Sequence, residues 1–146
     1  MPDETAIQDY VSKTSLQRGE DYYEMGAVLS IIKSGSRLFA LVEGSRYSPY
    51  RLCIRMEEDR PKSASCTCPY DWGGYCKHIV AAFLTYTRDP KAAANITPLE
   101  EILASLDTDE LRELIINLVE RDPDLLWELE GVEPPDDYRI FDDEYY

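Results

Sequence analysis

The sequence predicts an α+β fold with short N-terminal helices, a small antiparallel β-sheet meander, a cysteine-rich knuckle that leads into a helix, and a C-terminal helical part. Three observations lead to this class. Runs rich in β-branched and aromatic residues alternate with turn-forming clusters between residues 27 and 56, as in a sheet. Apolar residues recur at helical spacing after residue 77. Three of the four cysteines and the only histidine lie between residues 66 and 78.

The N-terminal segment TAIQDYVSKTSLQRGEDYYEMG predicts two short helices. Thr5 and Gln8 have the spacing of a capping box, and Ser15 is a candidate start for the second helix. Gly26 then ends the pattern, because glycine readily adopts the left-handed conformation found after many helices.

Three strand-like runs follow, AVLSIIK, RLFALVE and PYRLCIRM, and they predict an antiparallel meander. The segment SASCTC is expected to be the last strand. The third run alternates between apolar residues and a second set that includes two arginines, so one face is expected to be core and the other basic. The apolar positions are Tyr50, Leu52, Ile54 and Met56, and the others are Arg51, Cys53 and Arg55.

The segment KHIVAAFLTYTR predicts a short amphipathic helix that ends at Asp89, because Pro90 disfavours helical backbone in the residue before it. Three further helices are predicted in TPLEEILASL, DTDELRELIINLVER and DPDLLWELEG. We therefore expect a first domain over residues 1–90, an acidic helical extension packed on it over residues 91–131, and a flexible acidic tail over residues 132–146.

The formal net charge of -14 is concentrated in one part of the chain. Residues 1–88 carry 11 basic and 11 acidic residues, whereas residues 89–146 carry 4 and 18. The acidity is therefore a property of the C-terminal segment and leaves the first part neutral. No apolar run approaches the ~20 residues of a membrane-spanning helix, and the start MPDETAIQDY is unlike an export signal. We expect a soluble, cytoplasmic protein.

The cysteines and the histidine of the knuckle predict a structural zinc site. Zinc accepts three thiolates and an imidazole in tetrahedral geometry. The glycine pair Gly73 and Gly74 allows the tight reversal that such a site needs, and the second ligand pair opens a helix, where the dipole favours thiolate. The predicted ligands are Cys66, Cys68, Cys76 and His78.

These cysteines have two alternatives to a zinc site. Buried, unligated thiols are common, and a lone histidine is usually no ligand, but here the sole histidine lies two residues from a cysteine. A disulfide is disfavoured because Cys66 and Cys68 are too close to bridge each other, and nothing indicates an oxidising compartment. Cys53 lies in a predicted strand and is expected to be an ordinary thiol.

The C-x-C, variable loop and C-x-H at a helix start resemble the SWIM-type zinc finger. The lead-in GEDYYEMGAVLSI, the strand SPYRLCIRM and the motif CTCPY…GYCKHIVAAFL are similar to prokaryotic, stand-alone SWIM proteins over about residues 15–88. The resemblance implies one zinc ion held by the four ligands named above, and binding of DNA or protein. It does not extend to the remodelling or transposition activities of longer SWIM proteins, since the sequence holds no Gly-rich phosphate loop.

The predicted site disfavours an enzyme. Four protein ligands leave zinc no open position for water, and they occupy the only histidine and three of the four thiols. No small-molecule substrate or membrane partner is indicated. We therefore expect a non-catalytic interaction or adaptor module, with a protein partner slightly favoured over DNA.

Six residues of the first part are candidates for contact with a partner or with nucleic acid. Aromatic and cationic side chains together can stack bases and pair with phosphates. The alternative is that the aromatic residues pack over the zinc site and the arginines pair with neighbouring carboxylates, which we favour because the charges cancel. The candidates are Tyr70, Trp72, Tyr75, Lys77, Arg51 and Arg55.

The acidic C-terminal tail mixes carboxylates with aromatic residues. It is either a solubilising tail or a segment that docks on basic, apolar-lined surfaces. A further hypothesis is that it lies on the face with Arg51 and Arg55 and competes with nucleic acid.

Overall fold

The computed structural model describes residues 3–45, 47–70 and 73–135, and they form the predicted α+β fold. The described residues up to Pro98 belong to one compact unit, here called the first unit. Those from Leu99 to residue 135 belong to a second, here called the acidic helical unit. Within the described residues, no helix is both long enough and apolar enough to cross a membrane.

The two predicted N-terminal helices are present, as a 3-10 helix at Glu4–Tyr10 and helix α1 at Lys13–Glu24. Their starts differ from the prediction. The Asp3 carboxylate accepts the backbone N–H of Thr5, and the Ser12 hydroxyl accepts that of Ser15 at 3.1 Å. The capping residue must precede the first free amides of a helix, so Asp3 and Ser12 have the role expected for Thr5 and Ser15.

The helices of the first unit pack on a five-stranded sheet with the strand order β4-β3-β2-β1-β5. The first four strands are the predicted antiparallel meander. In β3, Tyr50, Leu52 and Ile54 are buried, as the alternation predicts, and Met56 is half-buried. The strands are β1 (Val28–Ser34), β2 (Arg37–Val42), β3 (Tyr50–Glu57), β4 (Arg60–Cys66) and β5 (Ala93–Ile96).

The fifth strand adds a parallel pairing to the predicted antiparallel meander. Strand β5 pairs in parallel with β1, so that Ile31 lies beside Ala93, and the sheet is mixed. Four residues, AANI, form β5, and alanine and asparagine are poor strand formers, so the segment has no local signal. Its pairing with β1 makes it a strand.

Helix α2, at Lys77–Arg88, is the centre of the first unit. It contacts α1 and strands β1 to β4, and nine of its twelve residues are buried. Phe83 and Val80 are completely buried, and each such side chain stabilises the fold by about 1.5–3 kcal/mol. The predicted amphipathic helix is therefore enclosed on most sides, which holds its first turn in a defined position.

The acidic helical unit contains three helices, as predicted. Asp107 and Glu110 form a complete capping box at the start of the longest one, and Gly131, at φ 71°, ends the last. Of the tail predicted to be flexible, residues 136–146 lie outside the described residues. The helices are α3 (Leu99–Ala104), α4 (Thr108–Arg121) and α5 (Leu125–Glu130).

Candidate metal centre

The four predicted ligands come from the junction between strand β4 and helix α2. Cys66 is the last residue of β4, and Cys68 lies in the turn that follows. The chain then reverses, so that Cys76 is the N-cap of α2 and His78 lies in its first turn. A strand end and a helix start, both held by the core, therefore bring the two ligand pairs together.

The ligand atoms of the four residues all lie within 4.8 Å of one another. His78 presents its Nδ1 atom 3.9 Å from the sulfur of Cys66. Zinc–sulfur bonds of about 2.3 Å and zinc–nitrogen bonds of about 2.0 Å place neighbouring donors of a tetrahedron roughly 3.5–3.8 Å apart. Cys76 is 3% exposed and His78 1% exposed, so these two ligands are shielded from water, whereas Cys66 and Cys68 are half-buried. The residues fit one tetrahedral metal ion.

The loop between the ligand pairs has the backbone that the glycine pair predicts. Gly73 has φ 96° and Gly74 has φ 74°, values that side chains disfavour. A β-carbon on Gly74 would also lie 2.5 Å from the carbonyl oxygen of Tyr10. The next amide, of Tyr75, donates to that same oxygen at 2.8 Å. The N-terminal 3-10 helix thus anchors the loop in the position that returns Cys76 to the first pair.

Three residues around His78 were not predicted as part of the site. The ring of Tyr50 lies 4.4 Å from the imidazole between centroids, and Tyr22 meets it edge-on at 5.4 Å. Gly44 leaves room for the rings of Tyr50 and His78, because a β-carbon there would overlap the Tyr50 ring and lie 3.3 Å from His78 Nε2. These contacts orient the imidazole, which commonly decides how well a histidine binds its metal.

Comparison with known proteins identifies the metal centre. The family model of the SWIM zinc finger matches residues 53–86, which include all four ligands. The chain contains a SWIM zinc finger. The donor set is the one that the SWIM resemblance implies, and the cofactor is zinc.

Relatives of this chain carry the same domain name. Proteins called zinc finger SWIM domain-containing protein 8 from Bos taurus, Mus musculus and Homo sapiens are each 28% identical to it over 116 residues. The alignment covers 77% of this chain but only 8% of the bovine protein and 6% of the others. The chain thus spans less than a tenth of the length of these relatives. No solved structure matches it significantly.

Hydrogen bonds among the thiols of the SWIM motif set their proton affinities. Hydrogen bonds with Cys66 and Cys76 lower the pKa of the Cys68 thiol. The hydrogen bond between Cys66 and Cys68 raises the pKa of the Cys66 thiol. The three sulfurs therefore compete for protons at close range. A divalent cation replaces these protons, because thiolate is the form of cysteine that binds zinc.

Two of the candidate aromatic residues lie beside the sulfurs of the SWIM finger. Tyr70 and Tyr75 line a small cavity with the three cysteines, and the Tyr70 hydroxyl donates to the Gly73 carbonyl oxygen at 2.9 Å. Tyr75 also stacks on Tyr10 with 5.6 Å between ring centroids. These contacts agree with the alternative in which the aromatic residues pack over the zinc site. Trp72, the third aromatic candidate, lies outside the described residues.

The candidate cations of the SWIM finger differ in exposure. Lys77 is only 7% exposed, and its ammonium nitrogen lies 4.9 Å from the centre of the Tyr22 ring. This leaves little of the group for a partner. Arg51 and Arg55 are exposed on β3. Cys53 lies between them, and burial raises the pKa of its thiol, in keeping with an ordinary strand cysteine.

Proposed function

We propose that this SWIM protein is a non-catalytic interaction or adaptor module whose zinc ion is structural and whose partner is a protein. The observation that carries the proposal is the complete ligand set. Three sulfurs and one imidazole within 4.8 Å of one another occupy all four positions of a zinc tetrahedron, so no position remains for an activated water. The same assignment uses the only histidine of the chain, the commonest general acid or base.

The outer sheet face is the surface that we assign to the partner. It is the face of the sheet turned away from α2, and it mixes apolar and cationic residues. Arg51 lies beside Leu41 in the β2–β3 register, and Phe39 lies beside Ile32 in the β1–β2 register. Ile32 is 37% exposed and Leu41 36%. Exposed apolar side chains with arginines at their margin are typical of protein interfaces.

Charge also favours a protein partner. Residues 1–98 carry 12 basic and 12 acidic residues, whereas nucleic-acid affinity rests mainly on an excess of cations facing phosphates. Arg51 and Arg55 form no ion pair with a residue that the structure describes. They are free to meet carboxylates at the edge of an interface.

Affinity capture from cells that express the protein, with nuclease added, tests this proposal. We expect the zinc-loaded chain to retain a defined protein after nuclease treatment and to lose it in the R51E/R55E variant. The charge-matched control is K13E/R18E, on the exposed surface of α1, and it should retain the partner. Equal retention by wild type and R51E/R55E would exclude the outer sheet face.

Nucleic-acid binding is the second candidate, supported by the same two exposed arginines near Phe39. Fluorescence anisotropy with single- and double-stranded DNA and RNA at low salt tests it, with and without residues 132–146. If the acidic tail moderates binding, its deletion raises the affinity and R51E/R55E abolishes the gain. Negligible binding by both chains would exclude this candidate.

A further inference from the structure

The acidic helical unit exposes an unusual amount of apolar surface. None of the residues that the structure describes in this unit, 99–135, is buried. Large apolar side chains that are well buried in most proteins are here at least 40% exposed. They are Leu103, Ile115, Ile116, Leu118, Leu126, Leu129 and Val132. An exposed set of this size within one short segment is the mark of a binding surface.

Helix α4 presents two members of this set, Ile115 and Leu118, beside the half-buried Leu111. Leu111, Ile115 and Leu118 follow one another at spacings of four and three residues, so they fall on one face of the helix. The capping box of Asp107 and Glu110 holds the first turn, with bonds of 2.8 and 3.1 Å. A 14-residue helix is marginal by itself, so burial of this face by a partner also stabilises the helix.

The charge of the unit decides what kind of partner fits. Residues 99–135 carry 12 acidic and 2 basic residues, a net charge of -10. A second copy of this unit would bring the same negative charge against it, and a nucleic acid would do likewise. A partner that covers the apolar face must therefore be basic.

We propose that the acidic helical unit binds a basic amphipathic helix of a partner protein. The apolar side of that helix packs on the stripe of Leu111, Ile115 and Leu118. Its lysines and arginines meet the carboxylates that the same unit carries, as in other helix-in-groove complexes. The inference deepens the adaptor function proposed above, and it names a second surface and the class of its partner.

Fluorescence anisotropy with the zinc-loaded full chain tests this inference. The probe is a labelled 18-residue synthetic peptide of leucine and lysine, patterned as an amphipathic helix, of about five turns. The reference is a scrambled peptide of the same composition. We expect the patterned peptide to bind about tenfold or more tightly than the scrambled one, and increasing salt to weaken binding.

The stripe is tested with the variant I115S/L118S. Both side chains are at least 40% exposed, so the helix is retained, as circular dichroism will verify. Loss of two apolar contacts should weaken peptide binding about tenfold or more. The control L29S, which removes a side chain 52% exposed on β1, should bind like wild type.

Three results would overturn the inference. Equal binding of patterned and scrambled peptides would reveal charge attraction alone, and unchanged binding by I115S/L118S would place the peptide elsewhere. A wild-type dimer that dissociates in I115S/L118S, measured by light scattering, would assign the stripe to a second copy. None of these results alters the capture experiment with R51E/R55E, so failure here is distinguishable from failure of the proposed function.

Discussion

Each zinc ligand lies where local backbone already places it. Cys66 ends a strand, Cys76 caps a helix, and the two glycines between them adopt positive φ. Few loop torsions remain to be ordered when the metal binds, which reduces the entropic cost of the site. Cys76 and His78 both connect zinc to α2, because they are buried at the start of that helix.

The substitution C76S should remove zinc binding and unfold the first unit. A serine hydroxyl is a poor zinc ligand, and structural zinc in finger peptides contributes about 10–16 kcal/mol of apparent binding free energy at neutral pH. Mass spectrometry of the metal content should show a fall from one zinc per chain to none, and the thermal unfolding transition should be lost.

The variant C53S is the matched control. Cys53 lies on β3, apart from the four ligands, and is half-buried. It should keep one zinc per chain and a transition close to that of wild type. Stoichiometric zinc in C76S, with unchanged thermal unfolding, would contradict the ligand assignment.

At the scale of the elements, the close packing of α1 on α2 positions the helix that carries His78. Gly19 of α1 lies against Val80 of α2, and a β-carbon there would overlap the valine side chain. At the other end of α2, Arg88 donates to Glu4 at 2.9 Å and to Glu20 at 3.0 Å. Such surface pairs contribute about 0.2–1 kcal/mol each, so the packed interface dominates.

The substitution G19A should destabilise the protein. Glycine to alanine inside a helix ordinarily stabilises by about 1 kcal/mol, but overpacking of a core costs about 1–3 kcal/mol. The overlap with Val80 therefore makes the net effect of the substitution on stability unfavourable. Urea denaturation of the zinc-loaded chain should show a lower free energy of unfolding than wild type.

The control for G19A is the double variant G19A/V80A, which removes the overlapping γ-carbon of Val80 but leaves its β-carbon in place. It should recover part of the loss that overpacking causes, although the smaller side chain at position 80 has a cost of its own. A G19A protein more stable than wild type would show that α1 and α2 separate without penalty.

At the scale of the whole molecule, the four ligands belong to the first unit, and the acidic helical unit contributes none of them. Zinc joins the end of the sheet to the central helix, so the core of the first unit depends on it. Helix α4 has a capping box of its own, and Gly131 ends α5.

Removal of zinc by a strong chelator should therefore unfold the first unit and spare α4. In amide NMR spectra of the labelled chain, the dispersed resonances of residues 3–98 should collapse, while those of α4 keep their positions. Added zinc should restore the spectrum. A first unit that stays dispersed after verified metal loss would contradict a structural role for zinc.

The sequence by itself determined the features that depend on neighbouring residues. The spacing of three cysteines and one histidine, the glycine pair, the alternation in β3 and the acidic segment are local patterns, and each was predicted correctly in kind. Backbone propensity, turn chemistry and ligand spacing act over a few residues, so they can be recognised without a partner segment.

Only the tertiary structure decided what depends on segments far apart in the chain. Strand β5 forms because β1 pairs with it. The ammonium group of Lys77 lies over the ring of Tyr22. Tyr50 and Gly44 surround the imidazole of His78. The physical reason is that burial and pairing are set by contacts between distant residues, which local pattern does not encode.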